Sequence, residues 1–264
     1  MTDRKPRKPP TKHSVQAHRK SYWMYGFHCV RAALQNPIRH CERLVATRAA
    51  LTGLGELPET SPIPELTESA ALATFLPAGA IHQGLALRIK PLLTPELEEI
   101  LPDTASDSDR PIVVLDQVTD PRNVGAILRC SAAFDTKAVV VPNRHAPSES
   151  GAMAKAASGA LEFVPMIRVS NLSRALKQIA ARGYWCVGLD QNGQRPFTAA
   201  FVGNPAALVL GGEGKGLRRL TQEQCDELLR IPITSAIPSL NVATSTAIAL
   251  YELSEARKIP EKNQ

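Results

Sequence analysis

Short apolar runs alternate with amphipathic segments along most of this chain, and the alternation predicts its secondary structure. Uninterrupted apolar runs at 112–115, 138–141 and 207–210 are typical of strands that are buried on both faces of a parallel sheet. The intervening and following segments predict the remaining elements, which are helices at 124–128, 171–182, 217–229 and 242–257 and strands at 185–189 and 231–233. Strands that alternate with helices predict an α/β fold, with a mostly parallel sheet in three layers.

A smaller α/β unit precedes this sheet. Residues 26–34 have the pattern of a helix that ends before a proline, and residues 43–47 predict a strand. Residues 82–89 predict a second strand because their apolar positions alternate with polar ones. A polar, acidic stretch at 102–109 indicates a linker or a long loop. The patterns therefore divide the chain into a tail at 1–20, a small domain at 21–92, a linker at 93–110 and a larger domain at 111–264.

The chain of 264 residues has a net charge of +6, and all of that excess lies in its first 20 residues. These contain seven Lys or Arg residues against Asp3 alone, whereas the rest of the chain balances 24 basic with 24 acidic residues. The tail has too few apolar residues to offset the entropy lost on ordering, so we predict that it is disordered. A basic tail either contacts nucleic acid or serves solubility. Its prolines disfavour the amphipathic helix of a transit peptide.

The cysteines and the longest uncharged run exclude several classes of protein. Five widely spaced cysteines form no CxxC pair, which favours free thiols in a reducing cytoplasm over disulfides or a zinc site. Residues 231–251 carry no charge, but Pro232, Pro238 and many Ser and Thr residues disfavour a membrane-spanning helix. Hydroxyl and amide groups are costly to bury without partners, so the polar segment at 239–245 predicts a ligand site.

Three segments run from a predicted strand through a loop into a predicted helix, and each carries polar residues typical of a ligand site. Open α/β sheets bind ligands at the carboxyl edge of their strands, so we expect the three loops to converge. The candidate residues are Asn123 and Arg129 in the first segment, Glu213 in the second, and Ser239 and Asn241 in the third.

Three of these residues also have a purely structural interpretation. Asn123 has the residue type of a helix cap, Arg129 that of a surface or ion-paired arginine, and Glu213 lies where a tight turn would expose it. The glycine-rich loop around Glu213 matches neither the P-loop nor the dinucleotide fingerprint, because its glycines follow a GxGxG spacing. A kinase or a nucleotide-dependent oxidoreductase is therefore disfavoured.

Taken together, the three segments resemble the SpoU (TrmH) family of S-adenosylmethionine-dependent RNA ribose 2′-O-methyltransferases. The resemblance rests on Asn-x-Gly-Ala-Ile-x-Arg from Asn123, Gly-Gly-Glu-Gly-x-Gly from Gly211 and Ser-Leu-Asn-Val from Ser239, and it extends over about 25–257. Within the family, the chain is most similar to the branch that acts on a guanosine of 23S ribosomal RNA. Residues 25–30 and 82–84 resemble that branch's N-terminal domain, which is similar to ribosomal protein L30e.

The resemblance implies a fold, a cofactor and an assembly. Family members have a deep trefoil knot, which is an exception to unknotted chain connections. S-adenosylmethionine binds in the knot, mainly through backbone groups, and by position Gly211, Ile231 and Leu240 would contact it. The resemblance also implies a cytoplasmic homodimer that acts on RNA, with no metal and no membrane partner.

The resemblance further implies a catalytic set. By position, this set comprises Asn123, Arg129, Glu213, Ser239 and Asn241. Arg129 is the position often assigned the role of base, but a guanidinium stays protonated in proteins. Holding the target phosphate and polarising the ribose hydroxyl is the physically simpler role for it. Transfer RNA is the alternative substrate, and a non-catalytic ribosome-assembly protein of the same fold is the second alternative.

Two departures from the family pattern leave the target nucleotide open. Arg122 stands before Asn123 where the ribosomal-RNA branch leads us to expect His. The third motif continues Ala243-Thr244-Ser245 rather than Ser-Val-Ala.

Overall fold

A computed structural model describes residues 20–101, 109–198 and 205–258, which form two sheets. The N-terminal unit contains a four-stranded sheet in the order β1-β4-β2-β3. Its strands are β1 (Tyr22–Tyr25), β2 (Cys41–Ala46), β3 (Glu65–Leu66) and β4 (Leu85–Ile89). Its helices are α1 (Phe27–Gln35), α2 (Arg48–Leu54) and α3 (Ser69–Ala73), and α4 (Leu97–Ile100) follows the unit.

The C-terminal unit contains a seven-stranded sheet in the order β7-β6-β5-β10-β8-β11-β9, and each pair of neighbouring strands is parallel. Its strands are β5 (Ile112–Asp116), β6 (Ala138–Pro142), β7 (Met166–Val169), β8 (Trp185–Leu189), β9 (Arg195–Pro196), β10 (Ala206–Gly211) and β11 (Glu227–Arg230). Its helices are α5 (Pro121–Ala133), α6 (Gly151–Ala157), α7 (Leu172–Ala181), α8 (Arg219–Gln222) and α9 (Val242–Lys258). The predicted α/β fold with a mostly parallel sheet is confirmed.

The sheet of the C-terminal unit has a core on each face. Successive side chains of a strand point to opposite faces, and in β5 Val113 and Leu115 join one apolar cluster while Ile112 and Val114 join another. All five residues of β5 are buried, as expected for a strand covered on both sides. The three-layer arrangement follows from these two cores.

One of these cores continues into the N-terminal unit. Met24 of β1 and Leu87 of β4 belong to the same apolar cluster as Met153 of α6 and Leu161. Apolar burial is worth about 25 cal/mol per Å², so a shared core holds the two units against each other.

The predicted helix at 217–229 and strand at 231–233 were wrong in extent. Only Arg219–Gln222 is helical, and β11 begins at Glu227, four residues before the predicted strand. The reason is Asp226, whose backbone N–H donates to the carbonyl of Cys186 and whose carboxylate accepts from the Cys186 N–H at 2.7 Å. These bonds start a parallel strand beside β8 where the apolar pattern alone predicted a helix.

Several other predictions can be compared with the structure. The strand predicted at 82–89 begins at Leu85, because Gln83 and Gly84 have positive φ angles of 53° and 76° and form a turn. The basic tail at 1–19 lies outside the described residues. All five cysteines are free thiols. Within the described segments, every helix is too short or too polar to span a bilayer.

Candidate functional site

The three candidate loops leave the same edge of the parallel sheet. They follow β5, β10 and β11, and these strands run in one direction because each belongs to the parallel set. In β10, Gly211 pairs with Asp116 of β5, so these two strands end at the same level. The expected convergence at the carboxyl edge is confirmed.

Asn123 lies in the first turn of α5 and does not cap it. The cap is Asp120, whose carboxylate accepts from the Arg122 N–H at 2.8 Å, and Pro121 occupies the first helical position. The interpretation of Asn123 as a helix cap was therefore wrong. Its amide is free to reach the other two loops.

Asn123, Glu213 and Asn241 form a hydrogen-bonded cluster that joins all three loops. The Nδ2 groups of Asn123 and Asn241 both donate to Oε1 of Glu213, each at 2.9 Å. Asn241 Nδ2 also donates to Oδ1 of Asn123 at 3.0 Å. Glu213 and Asn241 are exposed and Asn123 is half-buried, so a substrate can reach the cluster from solvent.

The two ends of the Asn241 amide have different partners. Its Oδ1 accepts from the N–H of Ala243 at 2.8 Å, which satisfies a free donor in the first turn of α9. This bond fixes the amide plane and leaves Nδ2 to donate to Asn123 and Glu213. The polar segment predicted to hold a ligand is thus oriented by the helix that it begins.

The loop that carries Glu213 folds back on itself. The N–H of Gly216 donates to the carbonyl of Gly212 at 3.0 Å, and a Cβ added at Gly211 would lie 2.1 Å from the carbonyl carbon of Gly216. A Cβ at Gly212 would lie 2.4 Å from the carbonyl oxygen of Gln117. These glycines are required because backbone packs on backbone, with no ligand needed to explain them.

Asp116, which was not among the residues predicted from the sequence, anchors both ends of this loop. Its carbonyl accepts from the N–H of Gly212 at 2.8 Å, at the start of the loop. Its carboxylate accepts from the backbone N–H and from Nε of Arg218, at 3.0 and 2.7 Å, at the end. Asp116 is fully buried, and a buried carboxylate needs such charge-assisted bonds. The position of Asp116 at the end of an apolar strand is the sequence feature that could have indicated this role.

The remaining candidates do not join the cluster. Arg129 is exposed on α5, about 9 Å along the helix axis from Asn123. Its guanidinium forms no hydrogen bond or ion pair within the described part of the chain. Ser239 is exposed and also makes no bond to the cluster in that part. Gly211, Ile231 and Leu240, the expected cofactor contacts, are half-buried; Gly211 ends β10, Ile231 directly follows β11, and Leu240 precedes Asn241.

Comparisons with known proteins agree with this geometry. The sequence profile described as the SpoU rRNA methylase family matches residues 110–251. The chain is 36% identical to the 23S rRNA (guanosine-2′-O-)-methyltransferase RlmB of Escherichia coli, over 88% of this chain and 97% of that protein. It is 34% identical to an uncharacterized tRNA/rRNA methyltransferase of Synechocystis, over 96% of this chain and 67% of that protein.

A solved structure has the same fold. The SpoU methyltransferase AviRb of Streptomyces viridochromogenes superposes with a TM-score of 0.74 at 22% identity, covering 91% of each chain. Its complex with the cofactor AdoMet superposes with a TM-score of 0.71 at 21% identity, covering 90% of each chain. The likeness extends over both units.

Proposed function

The chain belongs to the SpoU rRNA methylase family, and from this premise we propose that it methylates the ribose 2′-hydroxyl of a guanosine in 23S ribosomal RNA. It is an S-adenosylmethionine-dependent rRNA 2′-O-methyltransferase. The observation that carries the proposal is the hydrogen-bonded cluster of Asn123, Glu213 and Asn241 at the carboxyl edge of the sheet. The relatives named for a guanosine of 23S rRNA support the choice of nucleotide.

The residues at this edge fit the cofactor. By position Gly211, Ile231 and Leu240 would contact it, and a Cβ at Gly214 would meet nothing within 4 Å, so the glycine loop has open space beside it. A molecule held through backbone groups needs such accessible main chain. When bound, S-adenosylmethionine supplies an electrophilic methyl group on a sulfonium.

The protein's contribution to the reaction is largely positioning. The attacking ribose oxygen must lie in line with the methyl group, and correct orientation alone removes a large part of such a barrier. The amides of Asn123 and Asn241 are held by one carboxylate oxygen, and they can bind the ribose. Arg129, exposed on the same helix as Asn123, holds the target phosphate and polarises the hydroxyl, which loses its proton late or to water. Ser239 remains a candidate for contact with the substrate.

We also propose a division into domains, a knot in the larger domain and a homodimeric assembly. Residues 21–92 form an L30e-like RNA-binding domain, 93–110 connect it, and 111–264 form the methyltransferase domain with a trefoil knot. A homodimer is supported by the exposed apolar side chains of α9, where Ile248 and Tyr251 are 36% and 52% exposed. The cytoplasmic location is proposed from the relatives named for 23S rRNA.

The basic tail is expected to raise RNA affinity without changing the target. Deleting residues 1–20 removes seven Lys and Arg residues, and basic residues of such a tail neutralise phosphates without reading bases. Each lost phosphate contact should flatten the slope of log affinity against log salt by roughly 0.7–0.9. RNA binding measured across salt concentrations tests this. An unchanged slope would show that the tail does not touch RNA, and a changed target nucleotide would show that it reads sequence.

Transfer of label from S-adenosylmethionine to RNA tests the proposed activity. After digestion of the RNA to nucleosides, the label should lie on ribose. Label on a base would refute the assignment, and label on transfer RNA instead of ribosomal RNA would favour the alternative substrate.

A further inference from the structure

The two units meet along a close-packed surface, which we call the seam, between β1 and α1 on one side and residues 149–162 on the other. A Cβ added at Gly151 would lie 2.4 Å from the carbonyl oxygen of Trp23, so the start of α6 packs directly on the backbone of β1. Gly159 has a φ of +101°, and a Cβ there would lie 3.0 Å from Cβ of Ala32 on α1. Both glycines permit an approach that larger residues would prevent.

Arg39 of the N-terminal unit crosses this seam to two carboxylates of the C-terminal unit. Its Nη1 donates to Oε1 of Glu149 at 2.6 Å, and Nη2 and Nε donate to the two oxygens of Glu162 at 2.6 and 3.0 Å. The side chains of Arg39, Glu149 and Glu162 are 0%, 8% and 1% exposed. A two-pronged contact to one carboxylate and a third bond to another fix the guanidinium in a single orientation.

Neighbouring donors add a hydrogen bond to each of the two carboxylates. The Tyr22 hydroxyl donates to Glu149 at 2.6 Å, and the Asn36 amide donates to Oε2 of Glu162 at 2.8 Å. Burial lowers the pKa of Arg39, but the hydrogen bond to Glu162 and the charges of both carboxylates raise it overall above the ordinary value. Burial, followed by the charge of Glu149, raises the pKa of Tyr22, which therefore stays a hydrogen-bond donor. Buried charges are tolerated only with such full pairing.

A second hydrogen-bonded contact between the two units lies on the same seam. Nζ of Lys155 on α6 donates to Oε1 of Gln83 at 2.6 Å, and the same oxygen accepts from the N–H of Phe27 at 3.0 Å. The stem of Lys155 lies over Gly26, where a Cβ would come within 2.7 Å of it. The segments around Gly26 and Gln83, which belong to the N-terminal unit, thus face the C-terminal unit.

The seam is connected to the site through two packed helices. A Cβ added at Gly125 of α5 would lie 2.4 Å from the carbonyl oxygen of Met153 and 2.7 Å from Cβ of Ala156, so α5 and α6 are in backbone contact. Helix α6 therefore touches the N-terminal unit on one side and, on the other, the helix that carries Asn123. Close-packed elements of this kind move together.

We propose that Arg39 is a positioning residue that locks the N-terminal unit in one orientation and so sets the distance between the RNA held by that unit and the Asn123–Glu213–Asn241 cluster. This inference rests on the proposed function, since it requires that the N-terminal unit binds the RNA substrate. Because Arg39 holds Glu149 and Glu162 in place, the enzyme acts on a ribose at a fixed distance from a structured RNA element. A flexible tether between the units would not require a buried arginine that bonds to two carboxylates.

Arg39→Ala in the full-length protein tests the proposal. We expect the kcat/KM for a structured fragment of 23S ribosomal RNA to fall at least about tenfold, mainly through KM, because small misplacements of a substrate are costly. S-adenosylmethionine affinity should be unchanged. Backbone amides of 150–162 and 22–35 should exchange hydrogen faster, whereas those of β2 and β4 should keep their protection, which shows that the N-terminal unit is still folded.

Arg110→Ala is the matched control. Arg110 pairs with Asp135 at 2.8 Å and also bonds to backbone carbonyls, but its side chain is 43% exposed and it lies away from the seam. We expect this variant to have the kinetics and the exchange pattern of the wild type, because exposed ion pairs contribute little.

Arg39→Lys covers the case in which the alanine variant fails to fold. Lysine keeps the charge but cannot bond to both oxygens of Glu162 and to Glu149 at the same time. We therefore expect KM to rise, but by less than in the alanine variant. The proposal is overturned if a folded Arg39 variant keeps wild-type exchange at the seam, or if its kcat/KM stays within twofold of the wild type. If the wild type itself does not methylate RNA, the proposed function fails. Hydrogen exchange of the Arg39 variants still decides whether Arg39 holds the two units together.

Discussion

Replacing Arg129 with alanine is expected to abolish turnover while S-adenosylmethionine still binds. The guanidinium is exposed and unpaired within the described residues, and it lies on the helix of Asn123 away from the three loops. Removing one preorganised donor from a transition state commonly costs about 10²- to 10³-fold in rate. Single-turnover methylation should show that loss, and calorimetry should give the wild-type affinity for the cofactor.

Arg174→Ala provides the comparison for this variant. Arg174 is also an exposed helical arginine, on α7, and its loss should leave both measurements unchanged. If Arg129→Ala methylates at nearly the wild-type rate, its role is structural. If instead the cofactor no longer binds, Arg129 belongs to the cofactor site and not to the RNA site.

Glu213→Ala is expected to lower kcat by about 10²-fold, because it removes the shared acceptor that orients two amides. Oε1 of Glu213 accepts from both Asn123 and Asn241, which lie in the other two loops. Glu213→Gln keeps an oxygen acceptor and removes the charge, so it should retain more activity than the alanine variant. The same single-turnover assay measures both variants.

The comparison of the two Glu213 variants separates orientation from charge. Equal losses in both would show that the negative charge itself is needed. A kcat within twofold of the wild type for Glu213→Ala would show that the cluster is not the site of reaction. Since Glu213 is exposed, a general loss of stability is not expected, and a thermal melt checks this.

The sequence could predict the parts of the fold that depend on local pattern. The run 112–115 forms β5 because four apolar residues suit a strand buried on both faces, and Asn171 caps α7 through its bond to the Arg174 N–H. The convergence of Asn123, Glu213 and Asn241 was also predictable. It follows from the fact that parallel strands end at a common edge.

The sequence could not predict contacts that depend on distant partners. Arg39 bonds to carboxylates 110 and 123 residues further along the chain, and nothing in its local pattern marks it as buried. Asp226 begins β11 through a side-chain bond to Cys186, 40 residues earlier, and this overrides the helical pattern of the segment. Asp116 likewise anchors the glycine loop through Arg218, 102 residues later.

Mapping the methylated nucleotide tests the central claim most directly. Ribosomal RNA from a strain that lacks the gene is incubated with the purified protein and labelled S-adenosylmethionine, digested with nuclease and separated into nucleosides. We predict that the label appears as 2′-O-methylguanosine from one position of 23S ribosomal RNA. Label on a base, or no transfer to any ribose by a protein that binds the cofactor, would contradict it.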